Sequence, residues 1–251
     1  MILDPWFYFV AIPAVLIAGI SKGGFGGGLV IIAVPMLSLA IAPPKAAGIM
    51  LPILCVMDLY GCWAYRRTWD RKVLGVLIPA GLVGIGVGIL SFKHLNEAMF
   101  TLLIGTLAIL FVIYSALRDK DSVAPTRPLP TWVGLAAGAL SGFTSFVAHA
   151  GGPPITAYLL SLRLNALAFV SSSVVFFALV NYVKLIPYAW LGQLNSGNMI
   201  TSLALSPLAI AGVAAGVFLH HRISALWFNR AVHILLAVTG VKLIFDGILD
   251  L

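Results

Sequence analysis

The sequence predicts an all-α fold: a polytopic membrane helical bundle of two inverted repeats, each with about five helical segments and broken helices, and about 8–10 spans. Three observations predict it. Of the 251 residues, 61% are hydrophobic and only 9% are charged, whereas a soluble domain carries about 25% charged residues. Apolar runs long enough to cross a bilayer follow one another along the chain. Glycine and proline positions of the first half recur in the second.

Ten helical segments are expected from these apolar runs. Two stretches, 66–72 and 118–130, are polar enough to be loops, and the second divides the chain into a first membrane repeat (1–117), a linker (118–130) and a second membrane repeat (131–251). Boundaries read from sequence carry errors of about 2–4 residues. The segments are expected at 5–21, 24–42, 44–65, 73–92, 95–117, 131–148, 152–162, 164–190, 199–219 and 225–249.

The basic residues predict the orientation. If every segment crosses and both polar loops are cytoplasmic, eleven of the fifteen Lys and Arg residues fall on the cytoplasmic side, as the positive-inside rule requires. Both termini then lie outside. The net charge of +7 is explained by this topology, so we expect the lipid bilayer, and no nucleic acid, as the partner surface.

The internal repeat is read from an ordered series of matches. Gly19 and Gly138 each open a break, and a proline follows 16 residues later in both halves, at Pro35 and Pro154. Because each half has five segments, the second half enters the membrane from the opposite side. Inverted repeats of this kind are a recurring architecture of secondary transporters, with the binding site near the midplane.

The first broken segment is the glycine-rich run 19–28. Its glycines oppose ordinary helix, and irregular backbone inside a membrane survives only when it is buried in protein or lines a cavity. A helix N-terminus after the break would attract an anion, so we predict substrate-binding roles for Lys22, Gly26, Gly27 and Gly28. The alternative is tight helix packing by the glycines, with Lys22 reaching to the cytoplasmic surface.

The second broken segment spans 141–154. A glycine pair followed by proline is typical of a helix start, and the next helix is too short to cross a bilayer. We predict that an anion binds here, with structural hydrogen bonds and capping as the alternative for the three polar side chains. The predicted residues are Thr144, Ser145, His149, Gly151, Gly152 and Pro153.

Four further polar residues lie inside predicted spans. Intramembrane polar and ionisable groups are candidates for function, so Asp58, Ser173, Asn181 and Lys184 are predicted coupling or pathway residues. The alternatives are an ion pair for Asp58, an interfacial position for Lys184, and helix–helix hydrogen bonding for the other two. His233 is interpreted as an interface or packing residue.

The sequence resembles the TauE/SafE sulfite-exporter family over essentially the whole chain. The resemblance rests on the glycine-rich break before Pro35, its echo from Gly142 to Pro154, and the matching halves. It implies a multi-pass transporter of sulfite or organosulfonate anions in a bacterial inner membrane, with its pathway at the two broken segments. The two halves differ at one position of the break: Ser141 in the second half corresponds to Lys22 in the first.

The function predicted from these features is secondary transport, in the export direction, of small sulfur-containing anions by alternating access. The alternative is a passive anion channel or a transporter of another small organic anion. No ATP-binding loop, nucleophile–base pair or metal motif is recognised, so we expect neither an enzyme nor a cofactor or metal. Coupling to a proton or cation and assembly into a homodimer are left open.

Overall fold

The computed structural model describes residues 2–24, 27–64, 68–92, 94–117, 129–219 and 225–251. The predicted site residue Gly26 and nearly all of the predicted linker 118–130 lie outside these ranges. Within them the chain is helical and without strands. The helices are α1 (Pro5–Gly24), α2 (Ala33–Leu37), α3 (Pro43–Ala64), α4 (Arg71–Phe92), α5 (Glu97–Leu117), α6 (Thr131–Ala148), α7 (Gly152–Ser161), α8 (Ala166–Trp190), α9 (Ser196–Leu219) and α10 (Ala225–Leu249).

Eight of these helices are long and apolar enough to cross a membrane, which confirms the predicted polytopic helical bundle. The exceptions are α2 and α7. The short α7, with 10 residues, agrees with the predicted half-length helix at 152–162. The predicted helix at 24–42 is wrong, because in the described residues 27–42 the helical parts are a 3₁₀ turn at Val30–Ile32 and the five residues of α2. Glycines open this segment, and Pro43 disfavours helix at the residue before it.

Both short segments return the chain through the bundle. The Ile2 amide donates to the Thr201 hydroxyl at 3.2 Å, and Gly48 lies against Gln193, so α1, α3 and α9 all begin at one end. The chain between α1 and α3 must therefore cross back. At the opposite end, where α4 and α8 begin, the Asp70 amide donates to the hydroxyl of Ser172.

The exterior of the bundle is apolar and polar side chains lie inside. Leu203 is 74% exposed and Trp190 is 83% exposed, whereas Asp58 and Lys184 are fully buried. In a soluble protein such a large exposed apolar surface would be a liability. Here it is the surface expected to contact lipid.

The two halves of the sequence interlock. α4 of the first half packs along α6 of the second, and α9 of the second half packs along α1 of the first, while α5 pairs with α10. Glycines at the contacts, including Gly84, Gly142, Gly19 and Gly212, bring the backbones together. This small-residue packing is the usual way that membrane helices associate closely.

Gly84→Ala should destabilise the bundle, whereas Gly86→Ala on the same helix should not. A Cβ at Gly84 would lie 2.8 Å from the Phe143 amide nitrogen, but a Cβ at Gly86 meets nothing within 4 Å. Overpacking costs about 1–3 kcal/mol, so we expect the unfolding temperature in detergent to fall by several degrees for Gly84→Ala only. Equal unfolding temperatures for the two variants would contradict this account of the α4–α6 contact.

Candidate functional site

The first broken segment is organised by Ser21. After α1 ends, the chain turns back through Gly27, whose φ of 73° favours glycine. The Gly27 amide donates to the Ser21 carbonyl at 2.9 Å, and the Leu29 amide donates to the Ser21 hydroxyl at 3.1 Å. These bonds satisfy backbone groups that an interrupted helix would leave bare in a membrane. Gly27 consequently lies close to the side chain of Lys22.

The second broken segment is organised by polar side chains of α6. α6 ends with His149 in the left-handed conformation, at φ 52°. The Ser141 hydroxyl then donates to the Gly151 carbonyl at 2.6 Å. Because Ser141 lies about halfway along α6, this bond places the start of α7 at Gly152 deep in the bundle. The start of α7 inside the bundle therefore agrees with the predicted helix N-terminus at this break.

Among the predicted binding residues that the structure describes, three do not line the central cavity formed by these segments. The Thr144 hydroxyl lies 2.9 Å from the Leu140 carbonyl and 3.2 Å from the Ala150 carbonyl, so it ties the broken segment to α6. The Gly151 carbonyl is occupied by Ser141. Pro153, together with Thr144, lines an apolar crevice beside α5.

The central cavity brings together residues from α1, both breaks, α3 and α8. It is small, with about 40 Å³ of space for water-sized molecules. Apolar side chains such as Leu54 and Phe177 complete its wall. The predicted residues that line it are Lys22, Gly27, Gly28, Ser145, His149, Gly152, Ser173 and Asn181.

An ion pair lies at one side of the central cavity. The Lys22 ammonium is 2.5 Å from the Asp58 carboxylate, which is fully buried. Asn181 donates from Nδ2 to the other carboxylate oxygen at 2.7 Å. Asp58 thus has the basic partner that the sequence offered as one of its two interpretations. Because the two charges cancel, this pair leaves the cavity wall neutral.

Lys184 supplies the uncompensated charge. Its ammonium donates to the Ser145 carbonyl at 2.8 Å and to the Ser145 hydroxyl at 2.9 Å, and it lies 2.8 Å from Nδ1 of His149. It is fully buried, and no acidic side chain of the described chain lies within 4 Å of it. Such an isolated charge is costly inside a membrane. When Lys184 is protonated, the site has a net positive charge.

The hydrogen bonds assign the His149 tautomer. Nε2 lies 3.0 Å from the Ala47 carbonyl, which can only accept, so Nε2 has the hydrogen. Nδ1 then accepts from the Lys184 ammonium. His149 is therefore a neutral ring that positions Lys184. In the described part of the chain no three His, Cys, Asp or Glu side chains are placed to hold a metal ion.

Sequence reasoning missed the serines that build the breaks. Ser21 and Ser141 are fully buried and bond to the backbone beyond each break. Glycine follows Ser141 directly and follows Ser21 after one residue, which is the signal that could have identified them. Serine is a natural partner for backbone groups released where a membrane helix is interrupted.

The chain matches one family along nearly its whole length. The family described as sulfite exporter TauE/SafE matches residues 11–243, which include both broken segments and every residue named above as lining the central cavity. No curated protein and no solved structure matches the chain. By the extent of the family match, the chain belongs to the TauE/SafE sulfite exporter family.

Proposed function

We propose that the protein is a secondary transporter that exports small sulfur-containing anions, such as sulfite or organosulfonates, across a bacterial inner membrane by alternating access. The observation that supports this most directly is the buried Lys184 without an acidic partner, directly behind two residues of the central cavity. An uncompensated positive charge in a cavity of low dielectric favours an anion. The family description names sulfite.

The hydrogen-bond donors around the cavity suit a tetrahedral or pyramidal oxyanion. The Ser145 hydroxyl accepts from Lys184 and can donate its own hydrogen to the anion. Asn181 uses one amide hydrogen on Asp58 and retains another. Lys22 adds an ammonium whose charge is balanced by Asp58. These donors would replace the water that an anion loses when it enters the membrane.

Only some of the backbone amides in each break would be free to bind the anion. The Gly27 and Leu29 amides are already bonded to Ser21, and Pro153 and Pro154 have no N–H. Within the two predicted clusters, the anion would therefore bind to the amides of Gly28 and Gly152, which line the central cavity. The two breaks would share the anion unequally, because Lys184 lies behind Ser145 and His149 of the second break.

We also propose that a proton is the coupling ion and that Lys184 is its carrier. Deprotonation of Lys184 would remove the charge that holds the anion, so proton and anion would leave the cavity together. Asp58 is already paired with Lys22. In proteoliposomes that contain a pH-sensitive dye, a sulfite gradient should then move protons in the same direction. Sulfite flux without any proton movement would contradict this coupling.

Ligand-dependent stabilisation tests the binding step. Purified protein should unfold at a higher temperature with saturating sulfite, thiosulfate or a small sulfonate, because a ligand that binds only the folded state stabilises it in proportion to RT ln(1 + [L]/Kd). Chloride at the same ionic strength is the control. The absence of a shift with every sulfur anion would contradict the proposed substrate class.

Flux measurements distinguish the transporter from a passive channel. A transporter in proteoliposomes should show saturable sulfite uptake and should exchange external labelled sulfite for internal unlabelled sulfite. A conductance that rises linearly with concentration, without such exchange, would instead favour the channel.

A further inference from the structure

The central cavity extends towards one end of the bundle and stops short of the other. Its lining includes Ser173, the neighbour of Ser172, whose hydroxyl accepts a hydrogen bond from the Asp70 amide just before α4. The cavity therefore reaches towards the end where α4 and α8 begin. On the opposite side its lining includes His149, whose ring bonds to the Ala47 carbonyl near the start of α3. His149 and Ala47 thus lie between the cavity and the end where α3 begins.

The protein behind His149 is tightly packed. Ala47 is buried, and so is Tyr188 in the last turn of α8. The Tyr188 hydroxyl donates to the Phe146 carbonyl at 2.5 Å, and the two rings meet edge to face with centroids 5.3 Å apart. Tyr188 therefore holds the end of α6 in position. In this arrangement an anion cannot pass from the central cavity to the end where α3 begins.

The hydrogen bond between His149 and Ala47 joins two groups of helices. α6 packs along α4, whereas α3 packs along α9, which in turn packs along α1. Direct contacts between α3 and α6 are few in the described part of the chain, and this bond of 3.0 Å is one of them. A single neutral hydrogen bond adds only modestly to stability. The bond can therefore break and form again in each transport cycle.

The backbone at His149 has an uncommon conformation. Its φ of 52° lies in the left-handed region, which is costly for residues other than glycine. The amides of His149 and Ala150 donate to the carbonyls of Ser145 and Thr144, so the last turn of α6 and the bond to Ala47 hold this conformation together. Such conformations persist only where the surroundings impose them, and they are frequent at switch regions. Loss of the bond to Ala47 would let the end of α6 relax.

We propose that His149 and Ala47 form a gate that closes the central cavity towards the end where α3 begins, with the hydrogen bond from Nε2 to the Ala47 carbonyl as its latch. This proposal rests on the proposed transport function, because alternating access requires the closed end to open in turn. When the latch breaks, α3 would move away from the end of α6, and the anion would leave between them. The predicted topology places this end outside, which is the direction of export.

Distances between spin labels test the gate. The background is Cys55→Ala and Cys62→Ala, which removes both native thiols. Labels at Lys45→Cys and His94→Cys, exposed positions at the start of α3 and just after α4, report on the gated end. Double electron–electron resonance should show mainly the closed distance when His149 is present. His149→Ala should raise the ratio of a second population, several ångströms longer, to the closed one about fivefold, because one hydrogen bond is lost.

Two further substitutions separate the latch from other effects. His149→Gln keeps an amide that can donate to the Ala47 carbonyl but lacks the Nδ1 acceptor for Lys184, so the closed distance should remain. Ser202→Ala is the matched control. It removes a hydrogen bond of 2.7 Å to another α3 carbonyl, that of Ile49, at a buried position outside the cavity lining. The closed distance should remain there too.

The opposite end of the bundle provides a second measurement. Labels at Tyr60→Cys and Lys72→Cys lie at exposed positions near the end of α3 and the start of α4. They should move closer when the gate opens, because alternating access closes one end as the other opens. If His149→Ala does not fold, His149→Phe fills the same space without a donor and should show the same shifts.

The outcomes separate the gate from the transport function. Unchanged distances in both folded variants at 149, in a protein that transports sulfite, would overturn the gate. Equal lengthening at the gated end in Ser202→Ala would also overturn it, because the effect would then belong to any lost bond to α3. A wild type that neither binds nor moves sulfite would overturn the transport function, and the gate with it.

Discussion

Lys184→Met is expected to weaken sulfite binding about 100-fold. A unit charge about 6 Å from an anion, at an effective dielectric constant of about 20, contributes about 3 kcal/mol. The substitution removes this attraction. Lys22 does not replace it, because Asp58 already neutralises the charge of Lys22. Methionine has a similar length and keeps the packing, so the effect reports the charge rather than a hole in the protein.

The stability of the ligand-free Lys184→Met protein should change little. Removal of a buried charge favours folding, whereas Ser145 and His149 lose a donor that is worth about 1–3 kcal/mol. Sulfite titrations followed by thermal unfolding measure both quantities. Lys242→Met, whose side chain is 55% exposed and paired with Asp246, should leave both unchanged. Wild-type affinity in folded Lys184→Met would remove Lys184 from the binding mechanism.

Lys22→Met should destabilise the protein severely, and the added change Asp58→Asn should restore most of the loss. The single variant leaves the fully buried Asp58 carboxylate without a counter-charge, a situation that costs about 3–5 kcal/mol. The double variant has no unpaired charge. Loss of ligand-dependent stabilisation in Lys22→Met alone therefore cannot be assigned to a contact with the anion.

The double variant separates the two roles of Lys22. If Lys22 mainly balances Asp58, Lys22→Met/Asp58→Asn should bind sulfite within about tenfold of wild type, because Lys184 still supplies the charge. The matched control is the exposed pair Lys242–Asp246, where the same cycle should give less than about 1 kcal/mol. If the substitutions at 22 and 58 changed the free energy of unfolding additively, that result would contradict the ion pair.

The fold was largely predictable because each long apolar run specifies a helix by itself. Lipid leaves the chain few other ways to satisfy the hydrogen bonds of its backbone. The helices predicted at 73–92 and 131–148 therefore agree closely with α4 and α6. The segment 24–42 failed for a local reason. Its apolar residues after Gly28 look like a helix, but the turn at Gly27, with φ 73°, consumes part of the length and leaves only a short α2.

The candidate site was predictable only where its signal is local. Glycines and prolines mark both breaks in the sequence, whereas Asp58 and Asn181 are 123 residues apart when they hydrogen-bond. Thr144 and Ser145 illustrate a second limit. They are neighbours on α6, but one ties the break together and the other lines the cavity. Composition does not specify the rotation of a helix end to that accuracy.

The interlocked halves restrict how the molecule can move. Because α1 is bound along α9 and α4 along α6 through glycine contacts, the sequence halves cannot separate as two bodies. Any rocking motion must instead carry mixed units, each with one helix from the amino-terminal half and one from the carboxyl-terminal half. The pairs α1–α9 and α4–α6 would then each move as a unit. A cross-link between α1 and α9 should leave transport unchanged, whereas a cross-link between α3 and α8 should stop the transport cycle.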